Sequence, residues 1–142
     1  MGSGNRPATK VWLSSPSPTL PVAEWRAVLT GRPNLLLVGS RLATRATLTA
    51  LEPHLDRPHW RCHARNGILL PLRRKGTLIL HEAAALASDQ QALFFRWLEE
   101  APERMQIISV SDTPLFPLVE RGTFLADLYY RLNTIQVELP QP

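Results

Sequence analysis

The sequence predicts a three-layer α/β domain built on a five-stranded, mostly parallel sheet. Three observations point there. Short runs such as Leu35-Leu36-Leu37-Val38 and Leu78-Ile79-Leu80 are apolar throughout, as strands buried on both faces must be. These runs alternate with segments whose apolar residues recur at helical spacing, the pattern of a strand–helix–strand sheet. The length, 142 residues, suits one domain, and 44% hydrophobic residues is ordinary for a globular chain.

In chain order, residues 1–20 read as a loosely packed arm, rich in Ser, Pro and Gly, in which Val11-Trp12-Leu13 is either a short strand or a packed anchor. The α/β core takes residues 21–142. Pro21 starts and Gly31 stops a short amphipathic helix carrying Val22, Trp25, Val28 and Leu29. Leu35–Val38 is the first strand, ending at Gly39. Thr44 caps a helix with Leu48, Leu51 and Leu55 on one face, and Pro53 lies near its end. His59–Ala64 is a weaker strand, residues 66–75 form a loop with a basic tip, and Gly76–Leu80 is the third strand. Ser88 with Gln91 has the form of a capping box opening a helix with Leu93, Phe94, Trp97 and Leu98, stopped by Pro102. Met105–Val110 is the fourth strand. Short helices follow over residues 114–121, ended by Gly122, and 124–132; Thr134–Leu139 is the fifth strand.

The single cysteine, Cys62, excludes a disulfide framework within the chain and favours a reducing compartment. The longest apolar run, Leu35 to Gly39, is far short of the ~20 residues that span a bilayer, and no leader follows Met1. A cytoplasmic protein without membrane contact is the expectation. The net charge of +4 and pI near 10.0 permit an anionic partner, though a solvated basic surface is the commoner origin of so modest an excess. His59, Cys62, His63 and His81 invite a metal, but strand alternation turns Cys62 away from His59 and His63, so none is expected.

Ligands of such sheets sit at the carboxyl ends of the strands. Three ends carry polar residues: Gly39-Ser40-Arg41-Leu42-Ala43-Thr44-Arg45-Ala46, His81-Glu82 and Ser111-Asp112. Here the chain resembles a family. Gly76-Thr77-Leu78-Ile79-Leu80-His81-Glu82 resembles the GTLFLDE motif of the sigma-54-dependent transcription activators, a bacterial AAA+ group. Gln90 to Leu98 is similar to their QAKLLRVL helix, and Leu118 to Asn133, with its Asp-Leu-Tyr-Tyr-Arg-Leu-Asn string, to their LVxxGxFRxDLYYRLN block. The resemblance covers residues 34–140 and implies a phosphate-loop NTPase core; with the chain ending at Pro142, no lid subdomain or DNA-binding tail is expected.

The same resemblance implies a degenerate site. Where the family has GExGxGKE, Gly39 is kept, Leu42 and Thr44 replace the other glycines, and Arg45 replaces the lysine. Side chains at former glycines block positive-φ turns, and arginine has a bulkier planar head than lysine. His81 stands for the magnesium-binding aspartate beside a surviving Glu82. Asp112 replaces a sensor asparagine, Leu125 the first arginine finger, and Arg131 retains the second. The family's GAFTGA excursion is missing between Arg65 and Lys75. Gly39, Ser40, Arg41, Thr44, Arg45, His81 and Asp112 thus form a vestigial phosphate site, with Glu82 and Arg131 as vestigial catalytic groups. The expected function is transcription regulation without catalysis and without a cofactor. The expected partner is another protein, either an active AAA+ activator or a component of the transcription machinery, and self-association is open. Two alternatives stay open: a weak ATP-with-magnesium site using Arg45 and Glu82, and a nucleic-acid-binding module using Arg61, Arg65, Arg73, Arg74 and Lys75. Lacking an aromatic platform or recognition helix, the basic stretch reads more simply as a solvated loop, and nucleic acid is not an expected partner. Arg41 and Arg45 likewise read more simply as solvated arginines than as an anion site.

Overall fold

A computed structural model describes residues 9–12, 26, 29–72, 75–100 and 105–140. It is a six-stranded sheet: β1 (Thr9–Trp12), β2 (Leu35–Val38), β3 (His59–His63), β4 (Thr77–His81), β5 (Gln106–Ser111) and β6 (Ile135–Glu138). The strand order is β1-β6-β2-β5-β4-β3, and every pairing is parallel. The five expected strands are present, shifted by a residue or two at their ends. The sixth is Thr9–Trp12, which settles the choice between strand and anchor in favour of a strand on β6. The α-helices with described ranges are α1 (Arg41–Leu51), α2 (Ser88–Glu99), α3 (Phe116–Glu120) and α4 (Ala126–Leu132), and single 3-10 turns lie at Glu52–His54, Ala64–Asn66 and Ala83–Ala85.

Strand alternation splits the core in two. Leu36, Leu78, Leu80 and Ile107 point to the face covered by Phe94 and Leu98 of α2 and Leu128 and Leu132 of α4. Leu35, Leu37, Ile79, Ile108 and Val137 point to the opposite face, covered by Leu48 and Leu51 of α1. This is the three-layer arrangement, and it explains why β2 is wholly apolar and why β4 and β5 are apolar through Leu78–Leu80 and Ile107–Ile108: both of their faces are dry. The chain leaves β2 through α1 on one face and leaves β5 through α3 and α4 on the other. Their carboxyl ends therefore flank a crevice.

Two caps differ from expectation. Helix α1 starts at Arg41, with Ser40 as its cap; Thr44 lies inside the helix and bonds its hydroxyl to the Arg41 carbonyl at 3.1 Å. Helix α2 is capped at Ala87 without a side-chain bond, so Ser88 and Gln91 form no capping box. Gln91 is 2% exposed and serves elsewhere: Nε2 donates to the carbonyls of Leu86 (2.9 Å) and Thr123 (3.0 Å), and Oε1 accepts from the Leu125 amide (2.8 Å). Helix α4 begins two residues later than expected because Phe124 and Leu125 are consumed in this approach. The helix expected between Pro21 and Gly31 lies largely outside the described residues, although Arg26 and Leu29 are helical. Pro102, Arg73, Arg74 and the side chains of Trp12 and Trp25 lie outside them too. Among the described residues no helix is long and apolar enough to cross a membrane.

Candidate functional site

The β2–α1 connection is a single tight step. Gly39 donates to the Ser111 carbonyl at 3.0 Å, joining it to the end of β5. A Cβ on Gly39 would stand 3.0 Å from the Leu139 Cβ, so this glycine makes room for the chain leaving β6. Ser40 then turns into α1 with φ −59° and ψ 159°. Its hydroxyl accepts from the Ala43 amide at 3.1 Å and its carbonyl from the Thr44 amide at 2.9 Å. None of residues 39–45 has a positive φ. A phosphate-cradling loop needs successive amides turned inward in a concave nest. Here the helix runs through that segment from Arg41, and the Ala43 and Thr44 amides are already bonded.

Beside this step lies a cavity of about 520 Å³. Arg41, Thr44 and Arg45 line it from α1, Arg61 and His63 from β3 with Arg65 just after it, His81 and Glu82 from the end of β4, and Ser111 and Asp112 from the end of β5. The structure thus gathers every expected phosphate-site residue at one place except Ser40, which faces its own helix. It also brings in three residues that the sequence assigned to a separate basic stretch or a metal question. The register explains this: β3 runs parallel beside β4 with His63 opposite His81, so Arg61 and His63 project to the side of His81.

Glu82 sits in the left-handed region, φ 57° and ψ 49°, a costly conformation for a side chain other than Gly, Asn or Asp. Its carboxylate lies between two guanidinium groups, Arg65 Nε at 2.5 Å from Oε2 and Arg41 Nη2 at 3.6 Å from Oε1. The Arg65 contact is an ion pair without hydrogen-bond alignment, so Oε2 accepts no hydrogen bond. Arg61 pairs with Glu52 and places Nη1 3.5 Å from His81 Nε2. The rings of His63 and His81 stack at 4.5 Å and 12°. Burial lowers the His81 pKa below its usual value; His63 and Arg61 lower it further and Glu82 opposes them. The charged form of His81 is therefore disfavoured. Ser111 Oγ donates to the Thr113 carbonyl at 2.5 Å. Arg45 and Asp112 are exposed, and neither has an ion-pair partner among the described residues.

Arg131 is elsewhere. On α4 it pairs with Glu99 and donates Nη2 to the Leu98 carbonyl at 3.2 Å, which ties it to the carboxyl end of α2 where a cation suits the helix dipole. Leu125, where the resemblance expects another arginine, is 43% exposed. Cys62 points into the core, and burial pushes its thiol up to about 11. His59 bonds the Leu55 carbonyl, and no cluster of three metal-ligating side chains occurs among the described residues.

The model of the family described as sigma-54 interaction domain matches residues 52–141. The pathogenicity-locus regulatory protein HrpR of Pseudomonas syringae pv. syringae is 36% identical over 90 residues, 56% of this chain and 28% of HrpR. The HTH-type transcriptional regulatory protein TyrR of Haemophilus influenzae is 34% identical over 77 residues, 46% of this chain and 24% of TyrR. The chain thus spans about a quarter of these relatives. Among solved structures, NtrX of Brucella abortus in complex with ATP superposes with a TM-score of 0.60 at 19% identity, over 90% of this chain and 37% of that one. The P-loop NTPase domain of the sigma-54 transport activator from E. coli gives 0.58 at 21% identity, over 80% of this chain and 93% of that domain. At these identities the likeness is one of fold.

Proposed function

This chain belongs to the sigma-54 interaction domain family, and from that premise we propose that it is a non-catalytic transcription-regulation module that acts by binding another protein. The observation that carries the reading is the start of α1 at Arg41. Its Ser40 cap takes up the Ala43 and Thr44 amides, which a phosphate cradle would need. Two further features agree. The residue where the family resemblance expects a magnesium-binding carboxylate is a histidine, and Mg²⁺ demands oxygen ligands. Glu82, the surviving acid, is engaged by Arg41 and Arg65 and is not free to activate water. The partner is a relative with a working ATPase site or another component of the bacterial transcription machinery, and the compartment is the cytoplasm where that machinery acts. The test is calorimetry with Mg-ATP and Mg-ADP to millimolar ligand. No heat is expected; saturable one-site binding would overturn the reading.

A second reading, weak nucleotide binding, has one observation in its favour. The cavity of about 520 Å³ lies within the usual range of small-ligand sites, and Arg45, which lines it, has no ion-pair partner among the described residues. Magnesium-dependent phosphate release that disappears in Glu82→Gln would establish it.

A further inference from the structure

Four guanidinium groups from two distant stretches of sequence meet in the cavity. Arg41 and Arg45 stand one turn apart on α1, and Arg61 and Arg65 come from β3 and the turn after it. Three carboxylates share the space, Glu52, Glu82 and Asp112. Glu52 takes Arg61, and Glu82 alone serves Arg41 and Arg65, at the cost of a left-handed backbone. Arg45 has no carboxylate among the described residues. The cavity thus sets four guanidinium groups against three carboxylates, of which Glu52 is taken by Arg61, Glu82 is held under strain, and Asp112 has no ion-pair partner among the described residues.

We propose that this cavity binds carboxylate groups of an acidic segment on the partner protein, and that Glu82 fills part of it until the partner arrives. This rests on the reading of the chain as a protein-binding module. Carboxylate is favoured over phosphate by the donor set. Planar guanidinium forks match carboxylates in pairs, whereas the amides that would cradle a phosphate are bonded within α1. A peptide is favoured over a free anion by the surroundings. Leu42, next to Arg41 in the first turn of α1, is 68% exposed, apolar surface that a peptide covers and a small anion does not. The volume also far exceeds that of one carboxylate group. Binding exchanges Glu82 for an incoming acid on Arg41 and Arg65 and gives Arg45 a partner. Glu82 is then free to leave its strained position.

The experiment is fluorescence anisotropy of a labelled hexaglutamate peptide with the full chain at low salt. Saturable binding is expected. It should weaken about tenfold in Arg45→Ala, since a charge-assisted bond at a half-open site is lost, and tighten about threefold in Glu82→Gln, because two guanidinium groups lose their internal partner. Arg121→Ala and Glu120→Gln, exposed positions outside the cavity, should leave the affinity unchanged. The absence of saturable binding at millimolar peptide would overturn the proposal. So would an equal loss in Arg121→Ala, which would show only diffuse attraction to a basic surface. Displacement of the peptide by inorganic pyrophosphate at lower concentration than unlabelled peptide would overturn it in favour of a free-anion site. Peptide failure together with silent Mg-ATP calorimetry removes this proposal alone; peptide failure together with Mg-ATP binding removes the protein-binding reading as well.

Discussion

Replacing Gln91 by leucine tests how the approach to α4 at Leu125 is built. Leucine roughly keeps the volume of a side chain that is 2% exposed and deletes three hydrogen bonds, to the Leu86 and Thr123 carbonyls and from the Leu125 amide. Leu86 is buried, so its carbonyl loses its partner without access to water, a cost of about 1–3 kcal/mol. Thr123 and Leu125 are exposed, and water can replace part of those bonds, so together they add about 1–2 kcal/mol. Burying the leucine methyl groups returns about 1 kcal/mol. The net loss is about 2–3 kcal/mol. With a urea slope of about 1–3 kcal/mol/M, the unfolding midpoint should fall by roughly 1–2 M. The assay is urea denaturation followed by circular dichroism, with hydrogen exchange at the Leu125 amide as the local readout. A midpoint shift under about 0.3 M at unchanged slope would refute the bookkeeping. Undiminished protection of the Leu125 amide would show that Gln91 does not hold it.

Arg131→Ala should reduce capture of the physiological partner while changing stability by only about 0–1 kcal/mol, because its pair with Glu99 is half exposed; unchanged capture in a pull-down would remove α4 from the interface. The depressed pKa of His81 means that the unfolded chain takes up a proton near pH 6.5 before the folded chain does. Its stability contribution is therefore complete above that value and lost as pH falls below it, and His81→Gln should flatten the acid limb of a stability–pH curve; an unaltered limb would refute this. Cys62 ionises near 11 in the fold against 9.0 unfolded, so stability should decline as pH rises through that interval. Alkylation by iodoacetamide at pH 8 should follow global unfolding, and labelling without urea at the rate of a free thiol would contradict the burial.

The parts of the fold that apolar runs control are legible in the sequence. Leu35–Val38 and Leu78–Leu80 identify buried strands because nothing else explains so many apolar residues in a row. What is not legible there depends on partners far away in the chain. Ser88 and Gln91 have the spacing of a capping box, yet Gln91 can reach the carbonyl of Thr123 only after α2 and the α3–α4 turn have docked. Thr44 resembles a cap, but Ser40 precedes it by one helical turn, and the helix takes the earlier one once no glycine holds the loop open. Arg61 and Arg65 read as part of a basic run reaching Lys75; only the parallel β3–β4 register turns them toward α1. One signal was present. A basic residue at every second position of a strand next to a His-Glu strand end places all of them on one side.

The best-kept stretch of family resemblance, residues 118–133, does not by itself argue for an interface. Most of its members serve the fold. Phe124, Leu128, Tyr129 and Leu132 are buried in the core. Asn133 donates to the Tyr129 hydroxyl at 2.9 Å and to Gln136 Oε1 at 3.1 Å, linking α4 to β6. The Arg131 carbonyl accepts from Asn34, whose own Oδ1 accepts from the Ile107 amide; a single side chain thus joins α4, β5 and the start of β2. Core packing explains why such residues stay whether or not a partner ever touches them. The exposed arginines of the cavity have no such duty: Arg45 has no ion-pair partner among the described residues, and Arg41 and Arg65 meet only Glu82, which is strained. Evidence for a partner must therefore come from exposed positions. Leu125, Asp127 and Arg131 report on one face and Arg45 with Arg65 on the other, and binding that responds to only one set identifies which face the partner uses.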